Sequence, residues 1–442
     1  MTFINLVVLL SLLSLVFGYK PSSSSISIRR INKLSSSSSS SSSSVELLTP
    51  TQDKPRWAGK DDPLSEFVNM LISIKPLFNI MKYAARRTLI STAENKGIPW
   101  TERALVLNDK IQSLEQIYST IYSNSITTYP EYYTQEFHAY DEGNLNWKAA
   151  IECESATMSM ALRVWPDEQL TYIEAQDRLR LSFLDNVKKY FIDNKKLIPK
   201  NMNICDIGCS VGISTFYLAD YFKDSNIEGL DLSANFLTIA KLRQEIVTEK
   251  STINFTQDEL DNIIEASSLK TKFSNSNIDR IKWIHANAER TGLPDDKFDL
   301  TSVSFMFHEL PTIASDDILK ELYRITSPGG VIAITDNNPQ SKVIQNLPPV
   351  LFTLMKSTEP WSDEYYVYDI ESRLRELGGT NVITVESDPR HRTILCYKPI
   401  PITPSPLPQQ VQSIEKQHPA KRNGIINTIK SFFDNNNNGN GI

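Results

Sequence analysis

Residues 203–220 read NICDIGCSVGISTFYLAD: an apolar run into Asp206, two glycines around a turn of small residues, then an amphipathic continuation. No other stretch narrows the choice of fold as much. A strand that ends in such a turn and passes straight into a helix is half of a β-α-β unit, and such units build sheets with helices on both faces. Gly208 and Gly212 let the backbone bend sharply and let a ligand come close to it. The helix that begins near Gly212 turns its first unpaired N–H groups the same way. One common occupant is excluded by spacing, because a pyrophosphate on a helix N-terminus goes with G-x-G-x-x-G. Here the pattern is D-x-G-x-S-x-G, and Asp206 stands just before the turn where it repels phosphate. A ligand carrying positive charge near the loop suits it.

From Asn203 to Pro399 short β-rich runs alternate with helical ones, at 203–208, 227–232, 281–286, 299–306, 331–336, 380–387 and 392–398. That rhythm predicts a mostly parallel, doubly wound α/β sheet, whose ligands sit at the carboxyl ends of its strands. The second run ends in IEGLDLS, where Asp231, followed by Leu232, is suited to accept two hydrogen bonds from a ribose diol. The third ends in IHANAERTG, where Asn287 both donates to and accepts from an adenine edge. Three strand ends thus describe adenosine with a positively charged tail, and S-adenosylmethionine fits.

CDIGCSVG, GLDLS, HANAERTGLPDDKFDL, SFMFHELP and ELYRITSPGGVIAITDNNP, in that order, closely resemble the successive motifs of class I S-adenosylmethionine-dependent methyltransferases, in particular the small-molecule type 11 group. FHAYDEGNLNWKAAIECE, LPPVLFTLMKSTEPWSDEYY and DPRHRT are similar to a subgroup of plant and algal plastid methyltransferases. The resemblance implies a Rossmann-like sheet of seven strands with the last antiparallel, S-adenosylmethionine as cofactor, and a small-molecule acceptor. It implies that Asp206, Gly208, Ser210 and Gly212 surround the methionine portion, that Asp231 binds the ribose, and that Asn287 with Ala288 meets the adenine. The family more often has Gly at the position of Ser210 and Asp at that of Asn287.

Methyl transfer is an in-line displacement on an activated carbon, so the protein must align the acceptor and exclude water; a base is needed only if the acceptor loses a proton. His308 in SFMFHELP, just past the fourth strand, is the first candidate to accept or orient that proton, and Glu309 the second. His308 reads equally well as a residue packed under the cofactor or as the cap of the next helix. Asp336 and Asn337 face the same crevice, and Trp361, Tyr365 and Tyr366 wall the acceptor or pack in the core. His391 and Arg392 read as edge-strand residues without a role. Cys153, Cys205, Cys209 and Cys396 have no metal-ligand or disulfide spacing, and no metal is expected.

Of the 442 residues, 40% are hydrophobic, enough for one or two packed domains between tails. Residues 1–18 read as a signal peptide, too short for a bilayer span though a membrane anchor is the alternative. Residues 19–45 hold Lys20, Arg29, Arg30, Lys33 and a long Ser run without any acid, the composition of a transit peptide. The pair resembles the bipartite leader of algal plastids; ordinary secretion with a Ser-rich spacer is the other reading. Residues 64–194 carry helical periodicity and are expected to cap the site, 195–399 form the methyltransferase domain with a polar surface insertion at 247–279, and 400–442 are a disordered tail. Without the four leader bases the 46 Lys and Arg become 42 against 52 acids, a net −10, which speaks against nucleic acid as partner. A non-catalytic S-adenosylmethionine-binding protein is the rival reading, and a nicotinamide-dependent reductase a weaker one. Oligomeric state is not legible.

Overall fold

The computed structural model describes residues 74–401, apart from 124–127, 138–139, 141, 195–197, 265–272, 274–277 and 348–358. The leader assigned to residues 1–45 lies outside the described residues, as does the tail beyond residue 401. Among the described residues five α-helices come first: α1 (Lys75–Glu94), α2 (Trp100–Asp109), α3 (Ile111–Ser123), α4 (Trp147–Leu162) and α5 (Tyr172–Asp193). α5 starts at Tyr172 because Thr171 and Glu174 form a capping box: the Thr171 hydroxyl accepts from the Glu174 N–H at 3.2 Å, and the Glu174 carboxylate accepts from the Thr171 N–H at 2.9 Å.

Then follow β1 (Asn203–Ile207), α6 (Ile213–Tyr221), β2 (Asn226–Asp231), α7 (Ala234–Val247), α8 (Gln257–Ile264), β3 (Lys282–His285), β4 (Phe298–Ser304), α9 (Thr312–Ile325) and β5 (Thr326–Asn337). The chain continues through α10 (Lys342–Gln345), α11 (Ser362–Tyr365) and α12 (Ile370–Glu376) to β6 (Thr380–Glu386) and β7 (His391–Tyr397). All seven expected strands form one sheet in the order β3-β2-β1-β4-β5-β7-β6. The first five run parallel, and β7 runs antiparallel to both β5 and β6.

Side chains alternate across the sheet and so divide the core. Ile204, Leu300, Val331 and Leu395 pack on one face, Cys205, Ile207, Ile332 and Ile394 on the other. The first face also receives Leu107, Ile151, Phe183 and Val187 from the N-terminal helices. The helical region is therefore continuous with the sheet's own core. At about 1.5–3 kcal/mol for each fully buried large side chain, it is held as firmly as the flanking helices.

Three expectations are corrected. β7 is an interior strand, so His391 (3% exposed) and Arg392 (4%) are buried rather than edge residues, and Arg392 pairs with Glu371 at 2.8 Å. The fifth strand begins at Thr326, well before 331: a register shift between Phe298 and Leu300 lets the Ser-Pro-Gly-Gly run, which reads as a turn, stay in the strand. The insertion at 247–279 is not wholly superficial, since Ile253, Ile263 and Phe273 are buried and Phe273 packs edge-on against Phe216 and Tyr217.

Close approach explains Gly229 in β2. A Cβ there would lie 2.7 Å from Cζ3 of Trp283, whose indole N–H donates to Gln244 at 2.9 Å and cannot swing aside freely. Gly229→Ala should therefore lower stability by about 1–3 kcal/mol, read as a drop in thermal midpoint. An unchanged midpoint would show that the ring yields.

Candidate active site

The turn after β1 has three residues in left-handed backbone: Gly208 (φ +67), Ser210 (φ +51) and Gly212 (φ +78). Gly212 is the N-cap of α6, and its N–H bonds back to the Cys209 carbonyl at 2.9 Å. Asp206 lies beneath the turn. Its Oδ2 accepts the Ser214 and Thr215 hydroxyls, each at 2.7 Å, so it ties the strand to the first turn of the helix. Burial pushes its carboxyl up to about 6, against those hydrogen bonds and the charge of Arg180.

Asp231 closes the turn from the neighbouring strand. Its two oxygens accept the Ser210 and Ser233 backbone N–H groups, both at 2.8 Å. The Leu232 N–H also bonds this carboxylate, which still has acceptor capacity for a hydroxyl. Burial lifts this carboxyl to about 6 as well, with the Ser233 and Ser210 N–H bonds opposing. Leu232 is buried, and its carbonyl meets Nε2 of His285 at 2.9 Å. Asn287 is less open than its type suggests. Its Oδ1 takes the Glu289 N–H at 2.8 Å within a turn bridged to Arg290, so one acceptor position is spent on its own loop, with Ala288 half-buried between.

The N-terminal helices reach this crevice directly. Cys153 on α4 places its thiol 3.1 Å from the Ser210 hydroxyl, and Arg243 on α7 bridges the Val211 carbonyl (2.7 Å) to Glu154 on α4 (3.0 Å). Asn144, in the aromatic segment before α4, accepts the Ser233 hydroxyl at 2.8 Å. Tyr129 meets His285 at 3.3 Å and the Tyr132 hydroxyl donates to Glu289. The Asp231 and Glu309 charges both act on the buried Tyr133 hydroxyl, which burial holds protonated. Asn144, Cys153 and Glu154 lie in FHAYDEGNLNWKAAIECE, but nothing in that segment names what they touch, and only the aromatic density of YPEYY could have signalled Tyr129, Tyr132 and Tyr133.

At the far side, Phe307–Glu309 form one turn of 3-10 helix after β4. Nδ1 of His308 lies 2.7 Å from Asp336, at the end of β5, and the imidazole packs edge-on against Tyr365. His308 does not cap α9, because the Thr312 N–H goes to Glu364 at 2.7 Å. Burial alone would lower the His308 pKa; the Asp336 carboxylate, with Glu359 and Glu309, outweighs it and raises it to about 10. Burial pushes the Glu309 carboxyl up to about 8, opposed by the His308 charge and reinforced by Glu359 and Asp336. Tyr365 and Tyr366 are core residues, buried to 2% and 0%, whereas Trp361 lines an open groove of about 760 Å³ with Tyr132, Gln135, Ile313 and Tyr368. Among the described residues no cluster of His, Cys, Asp or Glu is arranged to hold a metal ion.

The donor set matches a cationic adenosine derivative. Asp206, Asp231 and Glu309 are all carboxyls whose pKa burial raises, and a positive charge entering the crevice relieves that cost. A doubly wound sheet with this turn, an acid ending β2 and an antiparallel strand beside β5 defines a class I S-adenosylmethionine-dependent methyltransferase domain. Residues 205–334 match the family described as methyltransferase domain. Among curated proteins, the demethylmenaquinone methyltransferase of Bacillus licheniformis is 29% identical over 145 residues, 32% of this chain and 48% of that protein. That of Listeria monocytogenes is 25% identical over 142 residues, 32% of this chain and 47% of that protein. The chain spans about half the length of these relatives. Among solved structures, human N-acetylserotonin methyltransferase with S-adenosylmethionine is 12% identical, covers 67% of each chain and gives a TM-score of 0.36. Magnesium protoporphyrin IX methyltransferase from Synechocystis is 14% identical, covers 53% of this chain and 90% of its own, and gives a TM-score of 0.33.

Proposed function

We propose that the chain transfers a methyl group from S-adenosylmethionine to a small aromatic or prenyl-lipid acceptor in a plastid. The observation that carries the reading is Asp231: a buried carboxylate, fixed by the Ser210 and Ser233 N–H groups at the end of β2, beside the D-x-G-x-S-x-G turn. When bound, S-adenosylmethionine supplies a methyl group activated by the adjoining sulfonium. Asp231 would hold its ribose, the residues around Gly208, Ser210 and Gly212 its methionine portion, and Asn287 with Ala288 its adenine.

The chain's own groups then manage the acceptor. Glu309, with its carboxyl near 8, has the range expected of a base at neutral to mildly alkaline pH, whereas His308 near 10 stays protonated. This reverses the order of the two candidates. His308, oriented through Nδ1 by Asp336, donates from Nε2 to the acceptor oxygen, and Glu309 takes its proton. The open groove lined by Tyr132, Pro311, Ile313 and Trp361 suits an acceptor with an apolar body. The relatives named for demethylmenaquinone support a quinone-like ring, and the Ser-rich, acid-free leader supports the plastid.

A direct test incubates the protein with methyl-labelled S-adenosylmethionine and plastid extract, then separates organic, aqueous and protein fractions. Label is expected in the organic fraction and absent with Asp231→Ala. Transfer only into protein would overturn the small-molecule reading. Cofactor retained with no transfer into any fraction would leave a binding protein in its place. Failure of isolated plastids to import and trim the full-length chain would overturn the location.

A further inference from the structure

Arg163 is the C-cap of α4, and Arg390 stands in the turn just before β7. Tertiary contacts bring the two together. Val164 and Trp165, next after Arg163, pack in one cluster with Phe305, the residue after β4. Phe305 in turn packs edge-on against His391, next after Arg390, with ring centroids 4.9 Å apart. The Arg390 N–H donates to Asp388 at 2.8 Å, and its carbonyl accepts the N–H of Asn338, two residues beyond Asp336, also at 2.8 Å. Both arginines are therefore gathered around Phe305 at the carboxyl ends of β4 and β5, the end that also carries His308. The Arg390 charge acts on Arg163, and the Glu359 carboxyl feels His308 and both arginines.

Like charges gathered in this way call for a counter-charge, and the chain supplies none directly. Among the described residues neither arginine forms an ion pair within 4.0 Å. Nε of Arg163 donates to the Ser159 carbonyl of its own helix at 3.2 Å, and Nε of Arg390 is buried without a hydrogen bond. The neighbouring acids are committed elsewhere, Asp336 to His308 at 2.7 Å and Asp388 to His391 at 2.8 Å. Glu359 remains, but burial, reinforced by Asp336, raises its pKa against the pull of His308 and the arginines. Arg163 is exposed and Arg390 half-buried, so an anion reaches them from solvent. A planar carboxylate matches the guanidinium fork. A phosphate fits less well, since its second charge would fall among Glu359, Asp336 and Asp388. The Ser362 N–H returns to the Glu359 carbonyl at 3.2 Å, a tight turn that sets Glu359 beside Trp361 of the open groove and so joins the arginines to it.

We propose that Arg163 and Arg390 bind a carboxylate on the acceptor, which makes the substrate an aromatic or prenyl acid whose apolar body lies along the groove of Tyr132, Ile313 and Trp361. This rests on the reading of the chain as a small-molecule methyltransferase and narrows its substrate class. The methyl group goes to the oxygen facing His308 and Glu309, so the product keeps its carboxylate. The test incubates the whole chain with methyl-labelled S-adenosylmethionine and plastid extract, then passes the labelled small-molecule product over an anion exchanger at about pH 7 and again at about pH 2, either side of a carboxyl pKa near 4. Retention at the first and release at the second are expected. Flow-through at about pH 7 would mean a neutral product, and retention at both a stronger acid such as a phosphate; either overturns the proposal. Arg163→Met and Arg390→Met should each raise the amount of extract needed for half-maximal rate about 10- to 100-fold and leave S-adenosylhomocysteine affinity within about twofold, which also reports a folded site. An unchanged requirement for extract would overturn the proposal, as would an equal loss of S-adenosylhomocysteine affinity, which would make the arginines structural. If the unaltered chain labels no small molecule, the methyltransferase reading itself falls and the proposal with it.

Discussion

Glu309→Gln should lower kcat by about 10²- to 10⁴-fold while leaving S-adenosylhomocysteine binding nearly unchanged. The carboxyl is lifted to about 8 by burial and by Glu359 and Asp336. Below that pH it carries a proton and cannot take another; above it the carboxylate is available. In the unaltered protein kcat/KM for the cofactor, which reports the free enzyme, should therefore rise with pH through about 8. Glu309→Gln should abolish the rise along with the rate. His308→Ala provides an independent check on the same arrangement. Since the His308 charge holds the Glu309 pKa down, its removal should shift the rise to higher pH as well as slow turnover. Wild-type turnover in Glu309→Gln, or a pH profile indifferent to His308, would remove Glu309 from the role of base.

Asp231→Ala should weaken S-adenosylhomocysteine by about 10²- to 10⁴-fold, the loss of two hydrogen bonds to a charged group at roughly 1.5–3 kcal/mol each. It should also lower the stability of the ligand-free protein, because the Ser210 and Ser233 N–H groups lose their acceptors at about 1–3 kcal/mol apiece. Asp231→Asn separates the two effects. The amide keeps one oxygen for a hydroxyl but turns its nitrogen on a backbone N–H, so affinity should fall part of the way. Calorimetric titration gives the affinities and thermal unfolding the stabilities. Affinity unchanged in Asp231→Ala would remove this residue from the ribose and with it the main support for the proposed activity.

These outcomes depend on features of unequal visibility in the sequence. The histidine and the acid of SFMFHELP are plain as residues, yet the His308 value of about 10 comes from Asp336 overcoming burial and the Glu309 value of about 8 from burial first, with Glu359 and Asp336 adding to it. Asn287 is plain at a strand end, but that its oxygen is spent on Glu289 depends on how its loop closes. Gln176 and Arg180 look like ordinary polar positions on an amphipathic helix. Their burial becomes evident only once α5 is packed against α4, α6 and β7.

What the sequence determined by itself is local or periodic. Glycine spacing dictates the bend at 208–212, Thr171 and Glu174 dictate where α5 begins, and two-residue alternation dictates which side chains of each strand share a face. The tertiary structure decided what depends on neighbours brought from afar. Alternation names a strand's faces but not the strand beside it, so the insertion of β7 between β5 and β6, and with it the burial of His391 and Arg392, was not legible. Hydrophobic periodicity likewise marks a helix's apolar side without naming what covers it. Only the folded chain shows the N-terminal helices sharing a core with the sheet and touching the glycine turn through Cys153 and Arg243. Proton affinity follows the same rule, because burial and distant charges are properties of the assembled site rather than of any residue in it.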